Sequence, residues 1–256
     1  MPASSRRLEL FAPDGIPEIQ HQAPLPRILA NAFAEIPGGM KDGDIVVMAQ
    51  KIVSKSEGRQ VLLEKVEPST EAVALADETG KDPRLVELIL QESTEIVRKR
   101  EGLIIARHSN GCVVANAAID LSNTGTGETA VLLPKNSDAS AMAIAGGLKV
   151  ITGATVAVLV IDSMGRAWRN GTLGTAIGCY GMTALLDRRG QRDRDGVELQ
   201  SSEIGVADEI AAAASLLMGQ GDEGLPAVLV RGLDWAGGGD GSAADLVRPR
   251  EQDLFT

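Results

Sequence analysis

The sequence predicts a mixed α/β fold (α+β), and three observations support that class. Short aliphatic runs typical of buried strands alternate along the 256-residue chain with stretches whose apolar residues recur every three or four positions. Apolar residues make up 44% of the chain and aromatic residues only 2%, so the core is expected to consist of Ala, Val, Leu and Ile. Since no repeat or low-complexity linker divides the chain, we expect one unit.

The first half of the chain is predicted to alternate strands with helices. Residues 7–12 alternate in polarity like a short strand, and residues 26–36 have the apolar spacing of a helix. The aliphatic run at 45–49 is typical of a buried strand, and we expect residues 50–59 to follow it as a loop. Two further helices are marked by capping residues, namely Ser69, Gly80, Asp82 and Pro83.

The second half contains a predicted hairpin, in which residues 103–106 and 112–115 pair through the turn at 109–111. Residues 187–196 are charged, without an apolar residue to pack, and are expected to form a solvated loop. We expect a single unit over residues 1–235 and a loosely held tail over 236–256, because the tail is rich in Gly, Ser and Asp. The remaining predicted elements are a helix over 138–148, a strand over 155–161, a helix over 205–218 and a strand over 225–231.

Charge and composition exclude several classes of function. The formal net charge of −10 makes nucleic acid an unfavourable partner, because an acidic protein repels the phosphate backbone. Cys112 and Cys179 lack the spacing of a zinc or redox motif and are expected to be free thiols in the cytoplasm. The first residues, MPASSRRLEL, do not resemble a secretory signal, and no apolar run is long enough for a membrane span.

Two aliphatic runs lead into an aspartate, one at residues 112–120 and the other at residues 155–162. We expect Asp120 and Asp162 to end their strands, where side chains reach a surface. Two neighbouring carboxylates repel each other unless a cation lies between them, and Mg²⁺ and Mn²⁺ prefer oxygen ligands. The hydroxyl of Ser163 and the amide of Asn123 are further oxygen donors nearby. The alternative interpretation is that each aspartate only starts a turn.

Other residues are candidates for binding anions. Lys51 and Lys55 can hold phosphate as point charges, and glycines in the stretch 218–226 let backbone N–H groups approach a ligand. Gly174 and Gly178 indicate close packing against a ligand or another subunit. A further group suggests an anionic substrate: Arg166, Arg169 and Asn170. The alternatives are solvated surface charge and flexible turns. From the residues alone, we infer a metal-dependent enzyme that acts on phosphorylated compounds.

The same stretches, in chain order, resemble the coenzyme F420:L-glutamate ligase family, the γ-glutamyl ligases of deazaflavin coenzyme biosynthesis. The resemblance spans roughly residues 8–235 and implies a fold of the family's own, with mixed sheets in an intertwined homodimer, neither P-loop nor ATP-grasp. It rests on the motifs GIPEI (15–19), QKIVSKSEGR (50–59), NAAIDLSN (116–123), IDSMGRAWRNGTLGTAIG (161–178) and ADEIAAAASLLMGQGDEGLPAVLVRGL (207–233).

The resemblance also implies the chemistry. Members use GTP, a divalent ion (Mn²⁺ or Mg²⁺, with two sites expected) and a stimulating K⁺. They join the carboxylate of a deazaflavin acceptor with a phosphodiester-linked lactate to the amine of L-glutamate, through an acyl phosphate. A second, γ-linked glutamate follows. Some bacterial relatives continue into a flavin-binding reductase domain, which this chain is expected to lack.

Carried over position by position, the resemblance implies a role for each candidate residue. Asp120, Asp162 and Lys55 are expected to be catalytic, and both aspartates to bind metal with Ser163 and Gln220. Some relatives have Glu at position 220, so the neutral Gln220 is expected to hold a second ion more weakly. Independently of the family match, Arg166, Arg169 and Asn170 are expected to bind substrate, either the acceptor phosphodiester or the carboxylate of the incoming glutamate. Nucleotide contacts are expected from Ile16, Pro17, Glu18, Ile19, Gln50, Lys51, Lys55, Asn123, Gly219, Gly221, Asp222 and Gly224.

Two alternatives stay open at the level of sequence, beside a structural dimer partner for another enzyme of the pathway, which no sequence feature supports. One is the same ligase chemistry on a different acceptor, because the nucleotide motifs would be identical. The other is a nucleotide-binding subunit without catalysis, against which the intact Asp120, Asp162 and Lys55 speak.

Overall fold

The structure is a computed structural model that describes residues 7–121, 128–233, 239 and 241–253. Helices and strands are mixed along the chain, which confirms the predicted α/β class. The α-helices of the described residues are α1 (Leu25–Ala34), α2 (Gln50–Ser56), α3 (Thr70–Thr79), α4 (Pro83–Glu92), α5 (Ser137–Thr152) and α6 (Val206–Met218). The strands described are β1 (Glu9–Phe11), β2 (Ile45–Ala49), β3 (Gln60–Leu62), β4 (Ser93–Arg100), β5 (Leu103–His108), β6 (Val113–Ala115), β7 (Thr129–Val131), β8 (Ala157–Arg166), β9 (Arg169–Tyr180), β10 (Leu186–Asp187), β11 (Glu203–Ile204) and β12 (Ala227–Arg231).

The largest sheet runs through the described residues in the order β1-β12-β2-β8-β9. β2 and β8 are parallel, and the other neighbours are antiparallel. Val46 and Val158 on one face pack into a core with α1 and α5, whereas Val47 and Leu159 on the other face pack against α6. Because both faces are covered, the central strands read as unbroken aliphatic runs in the sequence.

Glycines in β9 let two helices approach the sheet closely. A Cβ added at Gly174 would overlap the backbone carbonyl of Ala211 in α6, and one at Gly178 would overlap that of Ser137 in α5. Residues larger than glycine would therefore push the helices away from the sheet. Within the described residues, the close packing expected for this stretch is against helices of the same chain.

A second core lies where α3 and α4 cover the sheet β4-β5-β6. The predicted caps are confirmed. The Ser69 side chain accepts a hydrogen bond from the Ala72 N–H, and Gly80 ends α3 with φ of 64°. Asp82 caps α4. The predicted hairpin is also confirmed, because β5 and β6 pair antiparallel.

Some local predictions were wrong. Residues 50–56 form α2 rather than a loop, because Ile52 and Val53 bury their apolar side chains in the core that also contains α1 and α5. Asp162 does not end its strand. β8 continues to Arg166 and forms a hairpin with β9, which the sequence did not predict. β4, which is polar and partly exposed, was also missed.

The described part of the tail packs on the main unit. Ser242 donates a hydrogen bond to Asp138 over 2.5 Å, and Ala243 is buried in the core beside α6. Arg107 and Asp253 form an ion pair at 3.3 Å. The division into residues 1–235 and a tail stays a prediction. Among the described residues, no helix has the length and apolar character needed to cross a bilayer.

Candidate functional site

A cavity of about 530 Å³ lies at the ends of the parallel strands β2 and β8. In open α/β sheets this end, outside the carboxyl termini of the strands, is where ligands bind. Its lining comes from segments far apart in the chain, so the fold and not the sequence order brings them together. The lining residues are Ile16, Pro17, Glu18, Ile19, Ala49, Gln50, Lys51, Ile52, Lys55, Asp120, Ile161, Asp162, Ser163, Ser215, Met218, Gly219, Gln220, Gly221, Asp222, Gly224, Leu225 and Pro226.

The residues predicted to bind nucleotide and metal line this cavity wherever the structure describes them. Asn123 lies outside the described residues. The cavity lining described here does not include Arg166, Arg169 or Asn170, which lie at the exposed end of the β8–β9 hairpin. Sequence reasoning missed Ser215, because on an amphipathic helix it reads only as a packing residue, whereas Met218 opens the stretch 218–226 that was predicted to approach a ligand. The roles of all these residues stay predictions.

Asp162 is the carboxylate on the regular part of the scaffold. It lies within β8, opposite Thr175 of β9. The pKa of Asp162 is raised to about 6, mainly by burial and also by the negative charge of Asp120, whereas the Ser163 backbone N–H and Lys51 act in the opposite direction. Because burial penalises the ionised form most, a cation beside Asp162 would be bound favourably.

Asp120 reaches the cavity by a different route and does not end a strand as predicted. β6 ends at Ala115, and the next three residues, Asn116 to Ala118, have φ of 51°, 52° and 57°. Left-handed backbone is unfavourable for alanine, whereas asparagine tolerates it better, so Ala117 and Ala118 are the strained residues of this turn. Asp120 then exchanges backbone hydrogen bonds with Val131 at 3.1 and 2.9 Å. Its carboxylate pairs with Lys51 Nζ at 2.6 Å.

Two lysines of α2 bring positive charge to the cavity. Lys51 and Lys55 are four residues apart, so they share one face of the helix. The Lys55 side chain is only 7% exposed and forms an ion pair with Glu18. A buried ammonium requires such a partner, and the pair fixes the Lys55 amine at the cavity wall. Gln50, at the start of the helix, is buried and accepts a hydrogen bond from Ser54 Oγ at 2.8 Å.

The oxygen donors around Asp120 and Asp162 fit a hard divalent cation. Ser163 and Gln220 add neutral oxygens to the two carboxylates in the same cavity. The described residues contain no group of three or more His, Cys, Asp or Glu side chains that could enclose a metal ion by themselves. Mg²⁺ is commonly held by one or two carboxylates plus substrate phosphates, so two carboxylates suffice.

Comparison with known proteins gives one consistent result. A profile of the family described as F420-0:Gamma-glutamyl ligase matches residues 15–232, a range that includes every segment lining the cavity. The coenzyme F420:L-glutamate ligase of Methanothermobacter thermautotrophicus is 44% identical over 249 residues, which cover 97% of this chain and 98% of that protein. The protein of the same name from Methanocaldococcus jannaschii is 43% identical over 227 residues, 89% of each chain. The one from Archaeoglobus fulgidus is 38% identical over 250 residues, 97% of this chain and 96% of the relative.

Proposed function

Because the chain belongs to the F420-0:gamma-glutamyl ligase family and is a ligase that forms γ-glutamyl bonds, we propose that it uses GTP to join L-glutamate to a deazaflavin acceptor. The acceptor is of the phospholactate type (coenzyme F420-0), and the bond forms at its terminal carboxylate. The proposal is supported by the cavity, whose lining contains Asp120, Asp162, two lysines and a glycine-rich loop.

A free carboxylate is a poor electrophile, so the acceptor carboxylate must be activated before the amide forms. The proposed reaction therefore has two steps. First, an acceptor carboxylate oxygen attacks the γ-phosphorus of GTP, the bond to the β-phosphate oxygen breaks, and GDP leaves. The glutamate amine then attacks the carbonyl carbon of the resulting acyl phosphate. Phosphate departs, and the nitrogen loses a proton as the amide forms. A second cycle on the γ-carboxylate of the added glutamate gives the γ-linked product.

The residues of the chain supply charge and orientation for these steps. Lys51 and Lys55 present two ammonium groups from one helix face, which suits the oxygens of a triphosphate. Because the Lys51 amine already pairs with Asp120, phosphate can be bound next to the carboxylates with little movement of this side chain. The role of such groups in phosphoryl transfer is to position the reactants and stabilise charge.

Asp120 and Asp162 would hold Mn²⁺ or Mg²⁺, with Ser163 and Gln220 as neutral donors. When bound, the divalent ions neutralise charge on the phosphoryl oxygens. Gln220 carries no charge, so we propose that a second ion is held weakly there. The use of K⁺, an intertwined homodimer with a fold that is neither P-loop nor ATP-grasp, and a cytoplasmic location are further parts of the proposal, which rest on the family resemblance.

The exposed end of the β8–β9 hairpin is proposed to contact the acceptor. Arg166 lies four residues beyond Asp162 on the same strand, which corresponds to about 13 Å. An acceptor whose carboxylate lies near Asp162 would extend along the hairpin. Its phosphodiester would then be within the reach of Arg166, Arg169 or Asn170.

One assay tests the reaction. Purified protein is incubated with GTP, L-glutamate, Mn²⁺ and the deazaflavin phospholactate acceptor, and products are resolved by mass while GDP is counted. We expect one GDP for each glutamyl residue added, and no product with ATP in place of GTP. Product from a variant acceptor only would favour the same chemistry on another substrate. No GDP release with both substrates present would favour a nucleotide-binding subunit without catalysis.

A further inference from the structure

In the glycine-rich loop between α6 and β12, the backbone binds the carboxylate of a residue in the same loop, Glu223. The Glu223 carboxylate accepts a hydrogen bond from the Gly221 N–H at 2.8 Å. It also lies directly over the backbone of Gly219, because a Cβ added there would overlap the carboxyl group. Gly219 has φ of 70°, so both space and backbone conformation at this position favour glycine.

The Glu223 carboxylate lies against the backbone of this loop, where the Gly221 N–H bonds it. The backbone N–H groups of Glu223 itself, Gly221 and Gln220 lower the pKa of Glu223 and so stabilise its ionised form. Successive backbone N–H groups that converge on one point form a nest, a common binding site for phosphate and carboxylate groups. The Glu223 carboxylate therefore occupies a position in which the loop backbone stabilises a negative charge.

The same loop borders the proposed nucleotide site. Gly219, Gln220 and Gly221 line the cavity, whereas Glu223 is exposed and is absent from the described lining. A nucleotide phosphate that approaches these N–H groups meets a carboxylate already bound to them. Two anions repel each other at such short range, so only one can occupy the nest. An exposed carboxylate is readily hydrated once released, which makes displacement feasible.

We propose that the Glu223 carboxylate occupies an anion-binding nest formed by residues 219–223, that a nucleotide phosphate displaces it, and that Glu223 thereby sets nucleotide affinity by competition. This inference rests on the proposed function, because it takes the nucleotide as the incoming anion. It assigns Glu223 a specific effect: removal of its carboxylate strengthens nucleotide binding, although the residue lies beside the site.

Calorimetric titration of GTP in the presence of Mg²⁺ tests the inference on Glu223→Ala and Glu223→Gln. We expect the Kd for GTP to fall about three- to tenfold in Glu223→Ala. The carboxylate that competes with the phosphate for the loop N–H groups is then absent, and such a charge-assisted contact at an exposed site is modest in strength. Glu223→Gln, whose amide oxygen is a weaker acceptor, should lie in between. Glu209→Gln is the control for net charge, because Glu209 is exposed on α6 and is not among the cavity residues described. Its Kd should match that of the unchanged protein.

Unchanged or weaker GTP binding in Glu223→Ala would overturn the inference, since it would make Glu223 a support of the loop and not a competitor. If neither the unchanged protein nor Glu223→Ala binds GTP, the proposed nucleotide dependence fails instead. Inorganic pyrophosphate then serves as the probe of the nest. Pyrophosphate binding that Glu223→Ala does not strengthen would overturn the inference independently of the reaction.

Discussion

Asp162 and Asp120 line the same cavity, but the chain supports them in different ways. Asp162 lies within β8, and its backbone belongs to a hydrogen-bonded hairpin packed between α5 and α6. Asp120 follows a left-handed turn and is held by backbone bonds to Val131 and an ion pair with Lys51. A regular scaffold and a strained turn thus supply one carboxylate each, and the two supports should respond to different substitutions.

The largest expected effect is the loss of either carboxylate. Asp162→Ala and Asp120→Ala should each lower kcat for glutamylation by at least about a hundredfold, because each removes a proposed metal ligand. The measurement is the rate of product formation during an Mn²⁺ titration. Glu35→Gln is the matched control, because this carboxylate is exposed at the end of α1, and it should keep the full rate.

Asp120→Ala is the more informative of the two variants. If it kept a near-full rate with ordinary Mn²⁺ dependence while Asp162→Ala did not, only the carboxylate on the regular scaffold would bind metal. The ion pair of Asp120 with Lys51 would then be a structural contact.

A substitution in β9 can disturb the packing that supports the β8–β9 hairpin. Gly178→Ala places a Cβ against the carbonyl of Ser137 and should reduce the free energy of unfolding by about 1–3 kcal/mol. Urea denaturation measures the change. Gly146→Ala is the matched control, because Gly146 lies in α5 with open space around its Cβ position. It should be neutral or stabilising by up to about 1 kcal/mol. Equal effects of both substitutions would show that β9 is not closely packed against α5.

The sequence predicted the regular parts of the fold because their signals are local. Ser69 and Asp82 cap helices through side-chain contacts two or three residues away, and the run at 45–49 is apolar because both faces of the sheet are covered. β9 was missed because Gly174 and Gly178 weaken its strand pattern. Those glycines are required by helices distant in the sequence, which no local pattern reveals.

The sequence predicted which residues line the site, but it did not predict the backbone conformation that positions them. Asp120 and Asp162 were found because aliphatic runs lead into them, although neither ends a strand. The left-handed turn before Asp120 could not be predicted, because alanine at 117 and 118 does not signal positive φ.

Because Asp162 is buried, the free energy of unfolding of the metal-free protein should decrease as the pH rises. Its pKa rises from 3.8 to about 6 on folding, mainly through burial, so the ionised form destabilises the folded state. The penalty is absent below pH about 4, grows between about 4 and 6, and is complete above that. Asp162→Asn, which cannot ionise, should therefore be more stable above pH 6 by about 1–2 kcal/mol, after allowance for solvent in the cavity.

Thermal unfolding with EDTA at several pH values measures this difference. The gap between Asp162→Asn and the unchanged protein should close as the pH falls to 4. A gap that stayed constant with pH would mean that packing, and not ionisation, separates the two proteins. Added Mn²⁺ should reverse the order of stability, because only the carboxylate gains from a bound cation.

The smallest expected effect concerns the strained support. Ala118 has φ of 57°, a conformation that glycine adopts freely, so Ala118→Gly should raise the free energy of unfolding by about 0.5–1 kcal/mol. Ala115→Gly is the matched control three residues earlier, where φ is −67° and glycine should destabilise by a similar amount. Urea denaturation of the two variants gives opposite signs if the turn is strained. A loss of stability in Ala118→Gly as well would mean that the turn stores no strain and that Asp120 is supported as favourably as Asp162.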